Sequence, residues 1–488
     1  MEMKTLLCGL AAISLLTLSA AHPAEMRCPD SNAIASAAVT VGAIRWDAWY
    51  DGSDGYTQRT VRATLAPPRF HYRLPWFATL SPSGVPRLDG NNQAVIDKEI
   101  QIASTHGVNY WAFVYYPDDP MQTALQMYLK SRKKSLVKFS LIDSPGWGAT
   151  MGSFQRHIGK RIDLMADPQW QRVLDGRPLY FLSIPPPSKF DEWVGRFWDG
   201  KVDNMKKALD WLRSQSELRG LGNPYVVGVG TALPHTAQVS TALGLDAISS
   251  YEVTGGDVGA PYARLVAINQ GYWNAEASTG MAVVPNVMLG WDPTPRLLHG
   301  DKGEGRSTYT AGSPAAIAEN ITASLDWVSS HSAVSPAKTA LVYSWNEYDE
   351  GGSTLNPSFV SGNPEGDASV IDAVGKALAF AREGKVTCEQ NGYSKISQNG
   401  SKRQYNRAGR LEEIVAGNGG KIVYLADGSW ERYSSQKVRT EHTGKDGTRW
   451  TLDATGKALL FTPNGNGIPQ LSQATRPTTP DLNPRLEQ

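Results

Sequence analysis

Between Val41 and about Arg382 the chain alternates short apolar, β-branched or aromatic runs with longer stretches of helical periodicity. Eight of these runs predict strands: Val41–Trp46, Val108–Tyr116, Val137–Ile142, Leu179–Ile184, Tyr225–Val229, Ala247–Tyr251, Met281–Leu289 and Thr339–Trp345. Amphipathic segments at Asn92–His106, Asp203–Ser216, Asn320–Ser330 and Ser369–Arg382 predict helices between and after them. Asp175-Gly176-Arg177-Pro178 marks the turn into the fourth strand. An alternating pattern of this count predicts an α/β fold, a (β/α)8 TIM-like barrel. An open doubly wound sheet is the rival. It is disfavoured because no glycine-rich dinucleotide loop follows the first strand, and Gly146-Trp147-Gly148 lacks the third glycine.

The texture changes after about Lys385. Helical periodicity gives way to short alternating runs separated by turn signals: Asn406-Arg407-Ala408-Gly409, Asp427-Gly428, Asp446-Gly447 and Ala454-Thr455-Gly456. Tyr424, Trp430, Tyr433 and Trp450 sit in those runs. A small antiparallel β domain is expected, ending near Phe461, and Asp427-Gly428-Ser429-Trp430 loosely echoes Asp446-Gly447-Thr448-Arg449-Trp450. The expected layout is a signal segment over 1–21, a barrel over 22–384, an all-β accessory domain over 385–468 that either binds glycan or the cell surface or only covers one side of the barrel, and a Pro/Thr-rich disordered tail over 469–488.

Composition narrows the class. With 48 Lys+Arg against 47 Asp+Glu over 488 residues, the chain lacks the basic excess of a nucleic-acid binder. Lys4, the apolar run Leu6–Leu18, and the small residues Ser19 and Ala21 predict a secretory signal peptide; the run is too short to span a bilayer. No membrane insertion is expected, and the protein is placed in the periplasm or outside the cell. Loss of Cys8 with the signal leaves Cys28 and Cys388, which either pair as a disulfide tying the start of the barrel domain to its end or remain free thiols. His71 and His235 have no partner at metal-ligand spacing, so neither a metal nor a cofactor is expected. Asn320-Ile321-Thr322 and Asn399-Gly400-Ser401 match glycosylation triplets, which are common by chance.

The eighth strand runs into Tyr343-Ser344-Trp345-Asn346-Glu347-Tyr348-Asp349-Glu350-Gly351-Gly352. Active sites of such barrels sit at the carboxyl ends of the strands, and crowded carboxylates raise one another's pKa, as an acid–base pair requires. On a straight strand Glu347 and Glu350 would face opposite sides, so a turn eased by the glycine pair is needed to bring them together. A solvated acidic loop or a calcium site is the plainer reading of the same residues. Other strand exits offer Trp46, Asp47, Trp49 and Tyr50 after the first, Tyr115 and Tyr116 after the second (one of them facing the centre), Asp143 after the third, Tyr251 and Glu252 after the sixth, and Trp291 and Asp292 after the seventh. Asp292 and Arg296 could instead pair with each other to fix their loop.

Trp345-Asn346-Glu347-Tyr348-Asp349-Glu350-Gly351, followed by Leu355-Asn356-Pro357, resembles the Trp-Asn-Glu-Trp-x-Glu-Gly…Glu-Pro signature of the endo-α-mannosidase/endo-α-mannanase family, glycoside hydrolase family 99, and its WbsX-like (family 71/99-like) relatives. Gly290-Trp291-Asp292-Pro293-Thr294-Pro295-Arg296 resembles that family's element after strand seven. Gly107–Tyr116, Asp175–Pro178 and Asp246–Tyr251 are similar to its second, fourth and sixth strand regions. The resemblance spans about 41–382 and leaves out the C-terminal region. It implies a barrel and a retaining reaction without a covalent enzyme intermediate, with Glu347 as the base on the sugar 2-hydroxyl and Glu350 as the acid and then base at the glycosidic oxygen. Substrate contacts would come from Trp345, Asn346, Tyr348 and Asp349 together with the strand-exit residues above.

This chain departs from the pattern in two places. Tyr348 replaces the second tryptophan, Asp349 adds a third carboxylate that could take over one glutamate's role, and Ile142-Asp143-Ser144-Pro145-Gly146-Trp147 stands where the WbsX-like relatives carry Trp-Ala-Asn-Glu. The expected function is an exported glycoside hydrolase that cleaves a polysaccharide or oligosaccharide, acting internally. The alternatives are a polysaccharide-assembly glycosyltransferase-like protein and a non-catalytic glycan-binding protein. An export signal counts against the first, since sugar-nucleotide donors are cytoplasmic, and the presence of both glutamates counts against the second.

Overall fold

The computed structural model describes residues 39–50, 56–116, 120–144, 151–300, 306–383 and most of 385–471. The signal segment, Cys28, the triplet at Asn399 and residues 472–488 lie outside the described residues, as does the Cys388 side chain.

Eight parallel strand positions close a barrel: β1 (Thr40–Arg45), β2 (Tyr110–Val114), β3 (Lys138–Asp143), β4 (Arg177–Ile184), β5 (Tyr225–Gly230), β6 (Ala247–Ser250), β7 in two pieces (Ala282–Val283 and Asn286–Met288) and β8 (Thr339–Tyr343). Every strand pairs with its neighbour in chain order, and β8 pairs with β1 through Gly42↔Leu341. The runs are apolar and buried on both faces, as strands covered by helices outside and packed side chains inside must be. The sequence predicts strand seven as one run over Met281–Leu289. Pro285, which has no N–H to give the ladder, divides it: the first piece pairs with β6 and the second with β8.

The helices Gln93–Thr105, Val202–Leu218, Pro314–Ser330 and Ser369–Glu383 stand where periodicity placed them. Inside, Trp111 packs on Trp345 at 5.1 Å and Phe139 on Trp170 at 5.1 Å. A Cβ on Gly42 would fall within 2.1 Å of the Tyr110 ring, so this strand position admits only glycine. A second cluster sits over one side of the rim, where Trp49, Leu65, Phe70, Leu74 and Tyr348 pack together. It is built by a segment without strand or helix signals in the sequence, which carries the helix Tyr56–Leu65 and the 3-10 turn Pro68–Arg73.

From Lys385–Glu389 to Pro469–Leu471, ten strands form one antiparallel sheet in which every strand pairs with its chain neighbour. The sheet therefore runs past Phe461 and past residue 468. Pro469–Leu471 belongs to it through Phe461↔Leu471, a main-chain pairing that the proline-rich composition conceals. Asn320 is 1% exposed and donates to the Met288 carbonyl at 3.1 Å, so its triplet is a core element rather than a glycan acceptor. No described helix is long and apolar enough to cross a membrane.

Candidate active site

β8 ends at Tyr343, and the chain then turns under its own carboxylates. Ser344 Oγ accepts the Glu347 N–H at 3.0 Å, and the Gly351 N–H returns to the Glu347 carbonyl at 2.9 Å. That single helical turn puts residues three apart on one side, so Glu347 and Glu350 converge as the sequence required. A Cβ on Gly351 would sit 2.8 Å from the Glu347 carbonyl oxygen, so the turn depends on glycine there. The segment is anchored to β1: the Trp345 N–H donates to the Ile44 carbonyl at 2.7 Å, and Asn346 Oδ1 accepts the Trp46 N–H at 2.9 Å.

Tyr343 Oη lies 3.1 Å from Glu347 Oε2 and 2.8 Å from Glu350 Oε1. Tyr251 donates to Glu347 Oε1 at 2.5 Å. Arg296 Nη1 donates to Glu350 Oε2 at 2.5 Å, while its Nε and Nη2 hold Asp349 at 2.9 and 3.2 Å. Burial raises the Glu347 pKa above the ordinary carboxylate value, opposed by hydrogen bonds from Glu350 and Tyr251 and by the Arg296 charge. Glu350 is pushed much further. Burial acts first, then the Glu347 charge and the hydrogen bond it shares with Glu347, which favours the proton on Glu350; Arg296 opposes them. Both tyrosines are held well above their usual range, by burial first and then by the neighbouring carboxylates, so they stay neutral donors. Both shifts run upward and Glu350's runs further, so Glu350 is the readier of the two to hold a proton, with Tyr343 Oη bridging the pair.

The pair opens into a cavity of about 540 Å³ over the carboxyl ends of the strands. Trp46, Tyr115, Tyr116, Tyr251, Glu252 and Trp291 line it, as their strand-exit positions suggested. Trp46 Nε1 donates to Tyr116 Oη at 3.0 Å, closing one wall.

The other sequence candidates lie elsewhere. Trp345 is fully buried against Trp111, and Tyr348 packs edge-on to Trp49 at 5.0 Å in the second cluster. Tyr50 is buried too, accepting from Gln58 Nε2 at 2.8 Å. Asn346 braces the loop, and its Nδ2 donates to Asp47 Oδ1 at 3.0 Å. Asp47 is tied to Arg45 at 3.0 Å. Asp143 is fully buried, bonded to Arg161 and to the Tyr180 hydroxyl at 2.6 Å. Asp292 does not pair with Arg296: it bonds Arg73 and Thr294, and Arg296 turns to Asp349 and Glu350 instead. Asp349 is fully buried, accepts from Thr64 Oγ1 at 3.1 Å, and does not line the cavity.

Sequence reasoning missed Tyr343, Lys189 and Trp193 and saw Arg296 only as a loop brace. Lys189 and Trp193 come from the helix Pro187–Phe197 after β4 and line the cavity. Tyr343 could have been found from strand parity, since the last inward position of β8 must touch whatever the next turn presents. Among the described residues no group of three or more His, Cys, Asp or Glu is arranged to hold a metal ion.

Fold and site together define a closed α/β barrel with a tyrosine-bridged pair of buried carboxyls at the exit of its last strand. Neither a protein-family model nor a curated protein sequence matches the chain. Solved structures similar to it include the GH99 endo-alpha-mannosidase from Bacteroides thetaiotaomicron in complex with BIS-TRIS-propane, at 14% identity, covering 70% of this chain and 97% of that chain, with a TM-score of 0.45. Another is PbGH5A, a glycoside hydrolase family 5 enzyme from Prevotella bryantii B14, at 11% identity, covering 72% and 98%, with a TM-score of 0.35. At these scores the barrel is defined by its own strand pairing, and the chemistry of its site by its own side chains.

Proposed function

We propose that the protein is an exported retaining glycoside hydrolase that cleaves a polysaccharide internally, with Glu347 as base and Glu350 as acid. The observation that carries the proposal is the Glu347–Glu350 pair, bridged by Tyr343 and held by Tyr251 and Arg296, lining an aromatic-walled cavity. A cavity of about 540 Å³ is within the range of small-ligand sites, and the half-buried Trp46 and the exposed Tyr116 offer aromatic surface against which a sugar ring can pack.

Paired glycosidase carboxyls that flank a bond from opposite sides stand about 5–5.5 Å apart in retaining enzymes and about 6.5–9.5 Å apart in inverting ones. Glu347 and Glu350 instead stand side by side, bridged by Tyr343 Oη at 3.1 and 2.8 Å. They suit two neighbouring sugar oxygens, the 2-hydroxyl and the glycosidic oxygen on the adjacent carbon. Glu347 takes the proton of the 2-hydroxyl as O2 bonds to the anomeric carbon. The bond to the leaving oxygen breaks, and that oxygen takes the Glu350 proton. Water then attacks the anomeric carbon, giving a proton to Glu350, while the bond from that carbon to O2 breaks and O2 takes the proton back from Glu347. The pair ends as it began. Tyr251, donating to Glu347 Oε1 at 2.5 Å, keeps that carboxylate ionised at the start of each cycle.

Internal cleavage and export rest on the motif resemblance and the signal-like first residues. The test is product release from a panel of bacterial and fungal polysaccharides by the wild type, Glu347→Gln and Glu350→Gln. Oligosaccharides of several sizes released by the wild type alone support internal cleavage on this pair; release unchanged in both variants rejects it.

A further inference from the structure

The ten C-terminal strands form five successive hairpins. Their second strands begin at residues 392, 411, 430, 449 and 469, a step of 19 or 20 residues. The loose echo of Asp427-Gly428 at Asp446-Gly447 is thus one step of a regular array, which presents the same position once per unit. The first four hairpins open on Lys385, Lys402, Lys421 and Arg439. Strand register sets all four in one row: Lys385 pairs with Ile396, Ile396 with Lys402, Lys402 with Val415, Val415 with Lys421, Lys421 with Tyr433, and Tyr433 with Arg439. Directly paired residues share a face, so a cation recurs at every second strand, about 9.5 Å apart at the usual strand spacing, with an apolar or aromatic residue between.

The row turns away from the barrel. The opposite face carries Arg403, which reaches Glu319 of the barrel at 3.2 Å, and Ile422 and Tyr424, which line a cavity with Tyr262 and Asn320. On the outer face Lys421 lies 5.3 Å over the Tyr433 ring and 2.7 Å from Glu413, and Arg439 holds Glu431 at 2.6 Å. Those glutamates fix the cations in place without cancelling the region's charge. Residues 385–468 hold 13 Lys+Arg against 8 Asp+Glu, in a chain balanced overall at 48 against 47.

We infer that this outer face docks a linear acidic polysaccharide laid across the hairpins, with its carboxylates meeting the Lys402, Lys421 and Arg439 positions and its rings over Ile396, Val415 and Tyr433. The occupant follows from charge spacing. A nucleic-acid strand carries a phosphate about every 3.4 Å, far denser than the row, whereas a polysaccharide with a carboxylate on alternate sugars approaches its repeat. The inference rests on the glycan reading of the barrel, and its test reads binding separately from cleavage.

Full-length protein carrying Glu350→Gln, so that no polymer is cut, is run through native gels containing hyaluronan or unsulfated chondroitin, each with a carboxylate on alternate sugars. Neutral pullulan and single-stranded DNA serve as comparators. Retardation by at least one acidic polysaccharide and not by pullulan is expected. Its apparent Kd should rise about tenfold in the Lys402→Gln/Lys421→Gln/Arg439→Gln variant, stay unchanged in the charge-matched Lys138→Gln/Lys201→Gln/Lys207→Gln variant, and weaken with salt. No retardation by either acidic polymer, an equal loss in both triple variants, or tighter retention by DNA overturns the inference. Row-dependent binding without hydrolysis by the wild type upholds the docking face and rejects the glycosidase reading.

Discussion

The exits of β3 and β8 both bury carboxylates, and they bury them differently. At β3, Asp143 meets one guanidinium: Arg161 bonds both carboxylate oxygens and Tyr180 adds a third donor. Charge and partner are matched one to one, the side chains are fully buried, and no substrate could be admitted. At β8 three carboxyls crowd one guanidinium: Arg296 is engaged with Asp349 and Glu350, Glu347 relies on tyrosine hydroxyls, and Glu347 and Glu350 face a cavity. A buried acid with a dedicated arginine holds a fold together. A buried pair short of cations keeps a proton available for chemistry.

The largest effects should separate the two exits. Glu347→Gln and Glu350→Gln should each lower kcat/KM by about 10³-fold, in the range of lost acid or base catalysis, with Tm nearly unchanged. Asp143→Ala should do the reverse. Stranding the Arg161 charge costs about 3–5 kcal/mol of stability in urea unfolding, while the folded fraction keeps its turnover. A variant of Asp143 that is stable yet inactive would erase the distinction.

The pH profile sharpens it. The proposed reaction needs Glu347 ionised and Glu350 protonated. Lowering pH protonates Glu347 and raising pH strips Glu350, and both are raised from 4.5, so kcat/KM should be bell-shaped with both limbs above the range of a free carboxylate. Tyr343→Phe removes a hydrogen bond that favours ionised Glu347. Its acid limb should move to higher pH, with about a tenfold loss of rate at the optimum.

Glu276 is a third kind of buried acid, with one hydrogen bond from Ser250 at 3.2 Å and a pKa pushed to about 8 by burial. A raised carboxyl pKa means that the folded state holds a proton the unfolded chain releases. Its neutral form leaves stability intact below 4.5, and stability should then fall by about 1.4 kcal/mol per pH unit up to about 8. Glu276→Gln should flatten that slope in urea unfolding followed across pH.

The barrel was legible because its strands are continuous apolar runs, and each fell within a few residues of the observed strand. The two glutamates were legible from their position at the last strand's end. Which neighbours face them was not, because facing depends on the turn closed by Gly351 and on long-range pairing. Trp345, Asn346, Tyr348 and Asp349 flank the glutamates in sequence, yet the turn sends them into the core and onto Asp47 and Arg296. Arg73 and Thr64, which hold Asp292 and Asp349, lie over 200 residues away in the chain, beyond any local pattern. The hairpin array was only half visible, since its five units share turn spacing more than residue identity.

The central claim, that Glu350 carries the proton and Glu347 does not, has a direct test. The wild type and both glutamine variants are assayed on the susceptible polysaccharide and on a dinitrophenyl glycoside of the released sugar, whose leaving group needs no acid. Glu350→Gln should lose about 10³-fold on the polysaccharide but stay within about tenfold of wild type in forming the first intermediate from the activated glycoside, while Glu347→Gln should lose both. Equal losses for Glu350→Gln on the two substrates, or full activity of Glu347→Gln on either, would contradict it.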